Sequence, residues 1–348
     1  MSKDDIDYDK YYAKHCARYY GWLPAGKAYQ KGLGQNPKKS IKYFTLCGRK
    51  AIDIFMFEME GVISRDKNRT LPNVIICEEN GRDALEILDL VRPPQKEAII
   101  IGPLERVLTF EDNEHTRGRS PDDDERNKHI REMLRIKGLS QRLINSFPFD
   151  IINFDPYENI LNLAQEANKL LYRSFEKVFE LQQPINSFLF FITIPISDIH
   201  EDFQSQFRRD FASNVSTHQE ISNGLLLSTG TTEYDRLDEN KRVAVAIGFA
   251  KSVILSVARK NGWNSEHKGI YIYQNKSLRK MLSSVVQFFK TTSTTDNRMY
   301  VDDVIRIIEQ MPTFYSYEDS EKNKEVIDHL NRVIELRDKT REEFSRMT

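Results

Sequence analysis

Apolar runs of strand length recur along the first part of the chain, each followed by a segment whose apolar residues fall at helical spacing. This alternation restricts the fold more than any other feature. Residues 42–47 (Lys-Tyr-Phe-Thr-Leu-Cys) lead through Gly48 into a helical pattern at Ala51, Ile52, Ile54, Phe55 and Met56. Residues 73–77 end in Glu78-Glu79 before Ala84, Leu85, Ile87, Leu88 and Val91. Residues 98–101 stop at Gly102-Pro103-Leu104-Glu105, and residues 149–154 run into Asp155-Pro156-Tyr157. A helix with Ile160, Leu161, Leu163, Ala164, Ala167, Leu170 and Leu171 on its apolar side follows to about Leu181, and residues 188–196 supply another buried-type strand. Strands alternating with helices predict an α/β, Rossmann-like fold: a mostly parallel sheet with helices on both faces. In such a sheet ligands bind outside the carboxyl ends of the strands, so Asp155, Pro156 and Tyr157 are the first residues to consider for chemistry.

At 348 residues the chain exceeds the usual single core, so one large domain with an extension, or two domains, is expected. The 51 basic and 52 acidic residues cancel, and net charge therefore points to no polyanionic partner; a basic surface would have to come from segregation of charge. Cys16, Cys47 and Cys77 are far apart with no Cys-x-x-Cys pair, which argues against a disulfide framework or a zinc knuckle and fits a reducing compartment. The first residues are too polar for a signal peptide, and no apolar run approaches the roughly 20 residues of a membrane span. A soluble, cytoplasmic protein without membrane contact is expected.

Residues 1–40 form a basic, tyrosine-rich segment, in which Tyr8, Tyr11, Tyr12, Tyr19, Tyr20, Trp22 and Tyr29 interleave with Lys10, Lys14, Arg18, Lys27, Lys31, Lys38 and Lys39. Such a segment can hold phosphates and stack bases; it can equally be a helix that packs its tyrosines on the core and leaves its lysines in water. Residues 41–199 are the expected Rossmann domain. Within them, residues 111–131 are charged and lack apolar periodicity, which reads as a mobile surface loop before a helix near residues 130–136. Residues 200–348 have a different character, with polar helices and β-type segments at 269–273 and 283–289. They are expected to be a C-terminal α+β recognition extension.

A parallel sheet whose successive strand ends carry a turn glycine, an acid, a second acid and Asp-Pro-aromatic resembles class I S-adenosylmethionine-dependent methyltransferases, over about residues 41–197. Within them it is most similar to the amino-methylating group with an Asp-Pro-aromatic motif, such as the tRNA guanine-N2 dimethyltransferases. The resemblance implies that the first turn, with Thr45, Cys47 and Gly48, lets backbone approach the methionine part of S-adenosylmethionine. It implies that Glu78 accepts hydrogen bonds from the ribose and that Glu105 meets the adenine edge. Asp155 and the Pro156 carbonyl would then hold an exocyclic base amine of RNA or DNA while the Tyr157 ring stacks on the base.

The alternative is a catalytically inactive methyltransferase-like fold that serves as a nucleic-acid-binding or partner-binding adaptor subunit. The first turn, with one glycine and two cations at Arg49 and Lys50, favours that alternative, because a sulfonium is repelled by nearby positive charge. Other chemistries have thinner support. No phosphate-binding Gly-x-x-x-x-Gly-Lys-Ser/Thr loop exists, and Gly32-Leu33-Gly34 lacks the strand and helix context of one. The one tight histidine and acid cluster is His200-Glu201-Asp202, readable as a metal site or as a solvated turn. Cys47, beside Arg49 and Lys50, reads either as a low-pKa thiol or as a buried small residue at a strand end.

Overall fold

The computed structural model describes residues 12–33, 40–48, 50–91, 98–110, 123–156, 162, 166–196, 199–249, 254–274, 279–290, 297–310, 313–320 and 322–346. The strands are β1 (Tyr43–Thr45), β2 (Val74–Glu78), β3 (Ile99–Ile101), β4 (Ile151–Phe154), β5 (Ser187–Pro195), β6 (Asn264–Gln274), β7 (Lys280–Phe289) and β8 (Thr313–Tyr315). They form one sheet in the order β3-β2-β1-β4-β5-β7-β6-β8. Strands β1 to β5 are parallel, β7 runs antiparallel to both β5 and β6, and β8 lies parallel to β6. The fold is therefore α/β and Rossmann-like, and β6 to β8 of the C-terminal extension complete the same sheet.

The helices are α1 (Tyr12–Ala17), α2 (Leu23–Gly32), α3 (Ile52–Met59), α4 (Gly81–Val91), α5 (Leu104–Leu108), α6 (Asp123–Ser146) and α7 (Glu166–Leu181). They continue as α8 (Glu201–Thr217), α9 (Gln219–Thr229), α10 (Glu239–Phe249), α11 (Ile254–Lys260), α12 (Asn297–Gln310), α13 (Tyr317–Ser320) and α14 (Lys324–Ser345). The two-residue period of a strand sends neighbouring side chains to opposite faces, and each face has its own core. On one face Phe44, Ile152, Phe154, Phe188 and Phe190 pack with Leu104, Val107, Leu143, Phe175 and Phe179 of α5, α6 and α7. On the other, Tyr43, Ile76, Ile151, Leu189 and Phe191 pack with Trp22, with Ile54 and Phe57 of α3, with Ala84 and Ile87 of α4, and with Leu330 and Val333 of α14. A third core, with Phe211, Ile221, Leu225, Val245, Val304 and Ile308, holds α8, α9, α10 and α12 together in the extension.

The charged stretch read as a loop over residues 111–131 is helical over residues 123–131, which belong to α6. Acids in a first turn are favoured by the helix dipole, and a charged helix end needs no apolar period, so periodicity was the wrong guide there. Residues 111–122 lie outside the described residues, as do Ile160, Leu161, Leu163 and Ala164 ahead of α7. No helix among the described residues is long and apolar enough to cross a membrane.

Candidate functional site at the carboxyl edge of the sheet

The strand order reverses between β1 and β4, and the connections leave in opposite directions: α3 after β1 covers one face, and α7 after β4 covers the other. A crevice opens at such a switch point. Gly48 follows β1 there, exposed and left-handed at φ +64°, a conformation that favours a residue without Cβ. Glu78 is the last residue of β2. Its Oε1 accepts from the Asn80 backbone N–H at 2.9 Å, and burial raises its carboxyl above the usual carboxylate range, with the Asp83 charge adding to the effect. Glu105, in the first turn of α5, is also raised, first by burial and then by the Glu79 charge. Asp155 and the buried Pro156 follow β4. Tyr157 lies outside the described residues.

Beneath this edge lies a polar cluster that the sequence reading missed. Asp53 of α3 is fully buried. Its Oδ2 accepts from the Tyr43 hydroxyl at 2.6 Å, the Thr45 hydroxyl at 2.6 Å and the Asn153 amide at 3.1 Å, while Oδ1 has no partner. Tyr43, Thr45 and Asn153 share one face of β1 and β4 because they are two residues apart or paired in register, Thr45 opposite Asn153. A signal was present: Asp53 is the lone acid among Ile52, Ile54, Phe55, Met56 and Phe57, where an unpaired carboxyl would be costly. Thr45 thus serves this internal cluster, donating to Asp53 and accepting from Asn153 at 3.0 Å.

The N-terminal helices cross the same face. Between α1 and α2 the chain makes a π-helical turn, Arg18–Trp22, closed by the Leu23 N–H on the Arg18 carbonyl. Trp22 stacks on Phe191 of β5 with centroids 5.1 Å apart and donates to Ser283 Oγ at 2.9 Å. Tyr29 donates to the Ser187 carbonyl at 2.7 Å. Two of the rings read as a base-stacking stripe are therefore core residues. Lys14 of α1 reaches the carboxyl edge and pairs with Asp155, whose side chain is only 10% exposed. Four residues later Arg18 is also buried, its guanidinium carbon 5.6 Å from the Trp22 ring centroid.

Two alternatives weighed from the sequence are decided by burial and geometry. Burial pushes the Cys47 thiol well above its ordinary value, reinforced by the Asp53 and Glu78 charges, so Cys47 is not a low-pKa nucleophile. His200 caps α8, its Nδ1 accepting from the Asp202 N–H at 3.3 Å. Among the described residues no group of three or more histidine, cysteine, aspartate or glutamate side chains is arranged to hold a metal.

Comparison of the chain with protein-family models, curated proteins and solved structures finds no match.

Proposed function

We propose that the protein is an S-adenosylmethionine-dependent methyltransferase-like enzyme acting on an exocyclic base amine of RNA or DNA. One observation carries this reading: Gly48, Glu78, Glu105 and Asp155, which stand at or just past the ends of β1, β2, β3 and β4, line the carboxyl edge around the β1/β4 switch point. Two features fit the cofactor. The left-handed Gly48 leaves open backbone for close approach, and Glu78 keeps a half-buried carboxyl at the end of β2, anchored through one oxygen by a backbone amide. The cofactor would supply an electrophilic methyl group. The residues of this chain would hold the ribose through Glu78 and orient the amine through Asp155 and the Pro156 carbonyl, with catalysis resting mainly on alignment. A base within a duplex must leave the stack to reach such a site.

The Lys14–Asp155 ion pair favours a second reading, a methyltransferase-like fold retained for binding nucleic acid or a protein partner. The Lys14 ammonium occupies Asp155 Oδ2, so an amine at this site would have to share the carboxylate with it or displace it. Calorimetric titration with S-adenosylmethionine and S-adenosylhomocysteine separates the two. Micromolar binding together with methyl label entering a nucleic-acid pool supports the enzyme. No binding up to millimolar removes it and leaves the adaptor.

A further inference from the structure

Arg18 is an anomaly. Only 7% of it is exposed, its Nε has no hydrogen-bond partner, and among the described residues it makes no ion pair. Taking a guanidinium nitrogen out of water without an acceptor is destabilising. The Trp22 ring, 5.6 Å from its carbon, offsets only part of that cost. Lys14, on the preceding turn, reaches the carboxyl edge and has its carboxylate in Asp155; among the described residues Arg18 has none.

The backbone at Arg18 is also unusual. It opens the five-residue π-helical turn, and such turns recur at functional sites because a helix widened by one residue re-aims its side chains. Here the turn is held from both sides. Trp22 is locked between Phe191 and Ser283, and a Cβ at Gly21 would overlap the Tyr271 ring. Lys14, one turn before Arg18, pairs with Asp155 just past β4, and Trp22, one turn after it, stacks on Phe191, which lies in register through Asn153 with Thr45, two residues before Cys47; Arg18 therefore sits over the carboxyl half of the sheet on the side of the first turn.

We propose that Arg18 is the oxyanion-binding residue of the carboxyl edge, set to pair with a carboxylate or phosphate group of a ligand lodged beside the Cys47-Gly48 turn. Guanidinium suits both, since its fork of donors matches two oxygens at once. If the methyl-transfer reading holds, on which this part rests, the oxyanion is the carboxylate of the cofactor's amino-acid part. If the ligand is a nucleotide, it is a phosphate.

The test uses the whole chain, wild type and Arg18→Met, which keeps an unbranched stem against Trp22 and removes the charge. Arg18→Lys keeps a charge and serves if the methionine variant does not fold. Thermal unfolding is followed in sodium phosphate and in sodium acetate against sodium chloride at equal ionic strength. Phosphate or acetate should raise the wild-type midpoint by several degrees and leave Arg18→Met unmoved, and Arg18→Met in chloride should melt no lower than wild type. Equal shifts in both proteins, no shift in wild type, or a lower melting point for both variants in chloride overturns the proposal.

Calorimetry then identifies the source. If it is a carboxylate, S-adenosylhomocysteine should bind wild type at least tenfold more tightly than 5′-methylthioadenosine, and Arg18→Met should abolish the preference. If it is a phosphate, adenosine monophosphate should show the same advantage over adenosine. Should no adenosine compound bind while the phosphate shift remains dependent on Arg18, the oxyanion site stands and the methyl-transfer reading falls. An adenosine ligand that binds both proteins with no preference for its charged form overturns the oxyanion site and leaves the methyl-transfer reading intact.

Discussion

His15 Nε2 lies 3.0 Å from His329 Nδ1, joining the first described helix of the chain to the last. The other nitrogen of His329 lies 3.2 Å from Glu60 Oε1, so with His329 donating to Glu60 its Nδ1 accepts from His15, and both rings are neutral. His15 Nδ1 is then an acceptor buried without a partner. Burial lowers both histidines, with Arg18 and then His329 acting on His15. On His329, Glu60 opposes the effect while Arg332 and Lys27 add to it.

A histidine lowered in the folded state binds its proton more readily when unfolded, so its contribution to stability is present above the ordinary value of 6.5 and is lost as the pH falls below it. Urea unfolding between pH 8 and pH 5 should show stability declining below that value by up to about 1.4 kcal/mol per pH unit for each histidine that stays neutral. His329→Gln should flatten the decline. An unchanged slope in the variant would assign the acid sensitivity to other groups.

Asp53→Ala would strand the buried hydroxyl donors of Tyr43 and Thr45 and leave the Asn153 amide with Thr45 as its one acceptor. At about 1 to 3 kcal/mol for each stranded group the loss should be about 3 kcal/mol or more. Tyr43→Phe, which removes only one donor, should cost about 1 kcal/mol. Denaturant midpoints at constant m-value measure both, and comparable costs for the two variants would contradict the shared-acceptor geometry.

Gly21→Ala should destabilise by about 1 to 3 kcal/mol, the usual range for overpacking. The new Cβ meets the Tyr271 ring. A Cβ at Gly269 would also lie 2.7 Å from that ring, and the Tyr271 hydroxyl donates to the Tyr20 carbonyl at 3.0 Å, which ties the ring in place. In a double-mutant cycle Tyr271→Ala should relieve most of the cost of Gly21→Ala. Additive losses would place the strain in the π-helical backbone instead.

Glu78→Gln tests the ribose contact and the raised carboxyl together. A raised folded-state value means that Glu78 favours the fold below the ordinary 4.5 and loses that contribution as the pH rises through the shifted value. The variant should therefore gain on wild type in melting temperature as the pH rises above 4.5. Cofactor affinity should fall at least tenfold, since each charge-assisted hydrogen bond to a sugar hydroxyl is worth roughly 1.5 to 3 kcal/mol. Improved melting with unchanged affinity would leave Glu78 as a capping residue of the turn at Asn80 and nothing more.

The alternation of buried strands with amphipathic helices was legible from residue order alone, because strand and helix periods are local and apolar burial on both faces leaves continuous runs such as residues 188–196. That reading also located Gly48, Glu78 and Asp155 at strand ends, since the end of an apolar run marks the end of a strand. It read Thr45 as part of the cofactor turn, whereas folding turns that hydroxyl inward to Asp53. Lys14 is 141 residues from Asp155, and His15 is 314 residues from His329. No local pattern encodes pairings at that range; they exist because the N-terminal helices lie across a sheet face built from the middle of the chain and meet a helix from its end. Which lysine is paired, which arginine is left without an ion pair among the described residues, and which carboxyl collects three donors were decided by the tertiary structure, because burial and partner geometry depend on the whole packed surface.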